Sequence, residues 1–237
     1  MSRFVSEIFE SSIIVAGNFN PAIFSPYWME KNNLIGPDDA KNALKSPSLI
    51  ITNQVLRFET EWFVLQVLPQ QFSLTSKGAI APMMRDLAEQ VFLLLPHTPV
   101  TAVGLNFQGH YKINTIEDYH KIGDALAPKE IWNQIRFFPE QSSGLEHLTI
   151  RIDPFKRKNF FSIGSNENFR KVIFQPSTEV IPGIFLALND HRNVPESNDN
   201  DLTKAENISK IIKDEWNRVK SEAEDIFKQL LERSLSS

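Results

Sequence analysis

Cysteine is absent from all 237 residues. That excludes disulfides, thiolate metal sites and a cysteine nucleophile. A cysteine-free chain fits a reducing compartment, so a cytoplasmic location is the expectation. Glycine is scarce, with nine residues in all, and no Walker loop, GxGxxG or GxSxG motif occurs. No run approaches the roughly 18 consecutive apolar residues of a membrane helix. Arg3 is followed by Glu7 and Glu10 before the short apolar run 13–16, which is not the pattern of a secretory signal. No membrane partner is therefore expected. An excess of positive charge is missing too. The net charge is −4, so the chain as a whole does not attract nucleic acid.

What is present is aromatic and alternating. Eighteen Phe and four Trp suit the half-buried surface of a sheet. The longest periodic stretch is 99–114. Val103, Leu105, Phe107, Tyr111 and Ile113 fall on one side, and Ala102, Gly104, Asn106, Gln108, His110 and Lys112 on the other. Side chains alternate across a strand, so this is a strand with an apolar face and a small-polar face. Its length calls for partners on both edges, near the middle of an antiparallel sheet.

Further strands are expected at 12–19, 48–58, 62–68 and 71–75, and after the loop 138–143 at 145–153, 160–163, 169–175 and 184–189. Pro69 lies between two of them, as in one bent strand or two. Helices are expected from Pro21 with Asn20 as cap, at 39–44, 80–95, 116–126 and 129–135. The polar run 190–201 lacks periodicity and reads as a loop. A last helix spans 202–234. Its apolar stripe runs through Ile208, Ile212, Trp216, Val219, Ala223, Ile226 and Leu230, close to a heptad. At ~1.5 Å per residue it matches the length of the long strand and is placed against it. The fold class is α+β: antiparallel sheet or sheets, helices packed on one side, and a long C-terminal helix. The domain is 1–237, either undivided or made of two similar halves at about 1–137 and 144–237.

Candidate chemistry is sparse. The histidines show no HxH or HExxH spacing. Asn106, Gln108 and His110 share the polar face of the long strand, either as the floor of a hydrolase-type site or as a solvated sheet face. Lys156, Arg157, Lys158, Arg170 and Lys171 form the only basic concentration, interleaved with Phe155, Phe160, Phe161 and Phe169. This is either a groove for single-stranded nucleic acid or a hairpin with a charged tip, and the acidic total favours the hairpin. Asp38, Asp39, Asp190 and 199–201 do not have the spacing of a calcium loop. No metal and no cofactor is expected. On the last helix, Ile212, Trp216, Val219, Ala223, Ile226 and Leu230 are either a seam for another subunit or packing within the chain.

Several segments also follow the layout of a known family. The first strand ends in NFNP, an aromatic strand reads RFETEWFVLQV, and the helix MRDLAEQVFLLL leads into TPVTAVGLNFQGHY. The chain then closes on IFKQLLERSL. This layout resembles a sporadically distributed family of uncharacterised bacterial proteins of about this size, in which a helix runs into a strand with a Gly-Leu-aromatic signature. The corresponding residues here are Val103, Gly104, Leu105, Asn106 and Phe107. The family has no established activity, so the resemblance implies no catalytic residue. Its scattered occurrence implies mobile gene clusters such as phage defence or toxin–immunity systems.

With no catalytic motif legible and a long helical stripe suited to docking, the expected function is a non-catalytic protein–protein interaction subunit of a bacterial assembly. Its partner would be itself or another subunit. The alternatives are a hydrolase-type enzyme on the 106–110 face and a nucleic-acid module using 156–171.

Overall fold

Alternation of apolar and polar side chains builds one continuous sheet whose two faces differ in chemistry. The computed structural model describes residues 4–78, 82–135, 143–153, 168–194 and 203–236. The chain begins with β1 (Ser6–Gly17), a 3₁₀ turn (Pro21–Phe24), α1 (Pro26–Lys31) and α2 (Pro37–Lys45). The strands β2 (Ile50–Ile51), β3 (Leu56–Glu59), β4 (Phe63–Leu68) and β5 (Gln71–Ser76) follow, and then α3 (Met83–Leu94). Next come β6 (Val100–Lys112), α4 (Ile116–Leu126), α5 (Lys129–Asn133), β7 (Leu148–Ile152), β8 (Phe169–Pro176), β9 (Gly183–Asn193) and α6 (Lys204–Ser236). The strand order is β2-β3-β4-β5-β1-β6-β9-β8-β7, and each neighbouring pair is antiparallel. The protein is therefore α+β, as its patterning implies.

The order of elements runs twice. A long strand, short helices, a meander and a helix make β1 to α3, and the same series makes β6 to α6. In each run the last meander strand returns beside the first strand, β5 on β1 and β9 on β6, and β1 pairs with β6 at the centre. This topological division falls at 95–99. The expected division at 138–143 lies inside the second run, and residues 138–142 are outside the described ones.

Local chemistry sets most boundaries. Ser25 Oγ accepts from Trp28 N–H at 3.3 Å and Thr115 Oγ1 from Asp118 N–H at 3.0 Å, each capping a helix start. At α6, Thr203 and Glu206 form a reciprocal capping box: Thr203 N–H donates to Glu206 Oε2 at 2.7 Å, and Glu206 N–H donates to Thr203 Oγ1 at 3.3 Å.

Two expectations are corrected, and the alternative left open at Pro69 is decided. The run 48–58 is not one strand, because Thr52 Oγ1 accepts from the N–H groups of Gln54 and Val55 and folds a turn between β2 and β3. Around Pro69 the chain makes a hairpin, with Leu68 paired to Gln71. The polar run from Asp190 does not begin a loop, since β9 continues to Asn193. The strand expected at 160–163 lies outside the described residues.

Helices α3, α4 and α6 form a layer on one face, with α6 lying over β6 and contacting both α3 and α4. At ~1.5 Å per residue its 33 residues span roughly 50 Å, and the 13 residues of β6 at ~3.4 Å span roughly 44 Å. The Trp216 ring meets Phe107 with centroids 4.8 Å apart. Gly109 allows a second close approach: a Cβ there would lie 2.9 Å from the Tyr111 ring and 3.1 Å from Phe9. Both of those rings also contact Phe227 of α6 edge-on.

Candidate functional site

The helix layer decides the fate of the terminal stripe. Ile212, Trp216, Val219 and Ala223 are buried in the chain's own core, so they offer no free seam to another subunit. Beyond Ala223 the buried positions are Phe227 and Leu231, while Ile226 and Leu230 are only half-buried. A straight helix has a 3.6-residue period, so a stripe extended at heptad spacing drifts off the contact line.

The polar face of β6 points away from the helices, and its side chains are tied to neighbouring strands. Asn106 Nδ2 donates to Ser12 Oγ at 3.1 Å, and Asn189 Nδ2 donates to Asn106 Oδ1. Gln108 Nε2 donates to Glu10 Oε2 at 2.7 Å. His110, only 8% exposed, shares a hydrogen bond with Ser177 Oγ at 2.8 Å and lies 4.9 Å from the Phe185 ring. That serine already accepts from the N–H groups of Glu179 and Val180 at 3.2 and 2.9 Å, which makes it the lock of a turn. These three candidates thus share a face but do not converge on one point, and none of them lines a described cavity.

The basic candidates separate by strand parity. Arg170 turns toward the helices and Lys171 toward the open face, while Lys156, Arg157 and Lys158 lie outside the described residues. Lys171 Nζ and the Arg151 guanidinium lie 5.3 and 4.2 Å from the centre of the Phe169 ring. Phe169 stacks on His191 at 4.5 Å. Burial holds the His191 ring below its ordinary pKa, and the charges of Lys171 and Arg151 add to that shift.

Under α6 sits an ion cluster that the sequence does not assemble, although Arg170 and Asp190 are each named singly above. Asp190, 3% exposed at its side chain, accepts from Arg170 Nε at 2.8 Å and Arg192 Nε at 2.6 Å. Arg192 Nη2 donates to Glu215 Oε2 at 2.9 Å. Arg218 donates through Nε to the same oxygen at 2.7 Å and through Nη1 to Glu222 Oε1 at 2.6 Å. Glu222 Oε2 lies 2.7 Å from Arg170 Nη2, an ion pair without hydrogen-bond geometry. Three arginines face three carboxylates, so the cluster is neutral and closed on itself. Burial alone would raise the Asp190 carboxyl, but its bonds to Arg192 and Arg170 hold it below the usual carboxylate range. A cavity of about 370 Å³ opens beside the cluster. Period two along Leu186, Leu188, Asp190 and Arg192 was the signal that could have found the sheet half of this cluster, once β9 is extended past Asn189.

Among the described residues, no group of three or more His, Asp or Glu is placed to hold a metal ion, and no helix is long and apolar enough to cross a membrane.

The outer edge of β7 is different in kind. Among the described residues it ends the sheet, and Ile150 and Ile152 on its helix-side face are 49% and 44% exposed. At the other end of the sheet, β2 is only two residues long, and a short edge is a common protection against strand pairing. An α+β protein with a one-sided helix layer, an internally satisfied polar face and an apolar edge strand is the class that these features define. The chain matches no family model and no curated protein.

Proposed function

We propose that the chain is a non-catalytic protein–protein interaction subunit that pairs with a second copy of itself through β7. The observation that carries this reading is that β7 is an edge strand among the described residues, with Ile150 and Ile152 exposed. Such an edge offers unpaired backbone groups and apolar side chains to an incoming strand. The polar groups that would otherwise suggest catalysis, on β6 and under α6, already have partners within the chain.

Antiparallel pairing of β7 with its own copy is two-fold symmetric. Centred on Ile150, it sets Ile150 against Ile150, Leu148 against Ile152, and Thr149 against Arg151. Apolar residues then meet apolar residues on one face, and no like charges stand opposite each other. Centred on Arg151, the two guanidinium groups would oppose. Through the family resemblance, the reading extends to a subunit of a bacterial assembly of the defence or toxin–immunity kind.

Light scattering across a range of concentrations is the test. A concentration-dependent dimer is expected, weakened at least about tenfold by Ile150→Lys, since like charges directly opposite each other destabilise a sheet pair. Ile51→Lys, at the other edge, should leave it unchanged. A strict monomer at every concentration, or a dimer indifferent to Ile150→Lys, overturns the reading.

A further inference from the structure

Two cations stand directly opposite each other on the open face of the sheet. Arg151 of β7 and Lys171 of β8 are register partners, and both side chains leave the sheet on the side away from the helices. Like charges placed directly opposite destabilise a strand pair. The chain relieves only part of that repulsion. Asp153 Oδ1 accepts from Arg151 Nε at 2.9 Å, which answers one of the two charges. Among the described residues no carboxylate pairs with Lys171, whose ammonium instead lies 5.3 Å from the centre of the Phe169 ring. Arg151 has its Nε bond, but its two Nη groups donate to no acceptor among the described residues, and neither does Lys171 Nζ.

Phe169 holds these donors in place. The Arg151 guanidinium lies 4.2 Å from the ring centre, and His191 stacks on the ring at 4.5 Å. The three residues come from β7, β8 and β9, which are neighbours in that order, so guanidinium, ring and imidazole form a column. Both ring faces are thereby occupied, and Phe169 serves to orient the cations. The surplus positive charge is felt by His191: burial is the first cause of its lowered pKa, and Lys171 and Arg151 lower it further, against the hydrogen bond to Asn193 and the charge of Asp190.

We propose that Arg151 and Lys171 together bind a phosphate group, with the Arg151 Nη groups and Lys171 Nζ donating to its oxygens. A phosphate has enough strong acceptor oxygens to serve a guanidinium and an ammonium at once, and such charge-assisted bonds are the strong ones. It also supplies the negative charge that the opposed pair lacks. A free phosphate ion and the backbone of a single nucleic-acid strand present the same oxygens. The site lies within one chain and does not depend on the pairing of β7.

Proton NMR of the full chain tests it, with the His191 ring signal assigned by its loss in His191→Gln. Inorganic phosphate, compared with chloride at equal ionic strength, should move the His191 titration upward, because a bound anion offsets the charges that hold it down. Lys171→Gln should weaken phosphate binding by about tenfold or more, the scale of one charge-assisted hydrogen bond, and Lys171→Arg should retain it. Lys171 lies on the open face of β8 and not on the edge strand, so the variant leaves the β7 test by light scattering independent of this one. A 15-residue oligo(dT) identifies the source: binding about tenfold or more tighter than inorganic phosphate, lost in Lys171→Gln, assigns the site to a nucleic-acid strand, and equal or weaker binding assigns it to free phosphate. A His191 titration that phosphate moves no more than chloride does, or a phosphate effect that survives Lys171→Gln undiminished, would overturn the proposal.

Discussion

Asp190 and Arg192 lie two residues apart on β9, face the same side of the sheet, and join at 2.6 Å beneath α6. Their strand carries leucines on that face up to Leu188 and then changes to charge. The long helix answers in kind, with Glu215, Arg218 and Glu222 spaced to meet them.

Removing the anion at the centre should loosen this end of the helix layer. Asp190→Asn is expected to cost about 2–3 kcal/mol at neutral pH, the scale of hydrogen bonds to charged groups. The folded carboxyl titrates below its ordinary value. Its contribution is thus complete above the unfolded value of roughly 3.9 and disappears as pH falls through the lowered folded value. Urea unfolding at pH 7 and at pH 3 should show the gap between wild type and variant narrowing in acid. A gap that is constant with pH would exclude the ionic account.

Tyr111 predicts a change at the other end of the pH scale. Burial, with help from the nearby Glu224 charge, pushes its hydroxyl up to about 12. The unfolded chain would release that proton near pH 10. Stability is therefore complete below about 10 and falls as pH rises toward 12. Ultraviolet difference titration should show one of the three tyrosines ionising late, and Tyr111→Phe should remove that phase.

The helix stripe can be divided by truncation. Trp216→Ala, against Phe107 in the core, should cost about 3–5 kcal/mol. Ile226→Ala and Leu230→Ala, at half-buried positions, should each cost less than about 2 kcal/mol. Denaturant midpoints would measure this, and equal losses at all three sites would contradict the burial of the stripe.

Gly109→Ala tests the close approach of Tyr111. The new methyl would lie within 3 Å of the ring, and overpacking of this kind costs about 1–3 kcal/mol. Thermal unfolding should show the loss, and Gly109→Ala combined with Tyr111→Ala should show less than the sum of the two.

Much of the architecture was legible along the chain. The alternation in 99–114 marked β6, and Thr115 with Asp118 marked the start of α4, whose bounds match the expected 116–126. Asn106, Gln108 and His110 were correctly placed on one face, but that face says nothing of partners. Their partners Ser12, Asn189, Glu10 and Ser177 come from distant parts of the chain. Arg170 looked like part of a basic patch beside Lys171, yet parity sends the two to opposite faces, and Asp190 and Glu222 neutralise the first.

The sequence by itself determined the periodicities, the caps and the exclusions that follow from having no cysteine, because these depend on neighbours a few residues apart. Tertiary structure alone decided which apolar surface is free. The α6 stripe, the most conspicuous docking surface in one dimension, is covered by the chain's own sheet, whereas Ile150 and Ile152 of a short, ordinary strand remain exposed. Burial is a property of what packs across a face, and only strand order and helix placement bring those residues together.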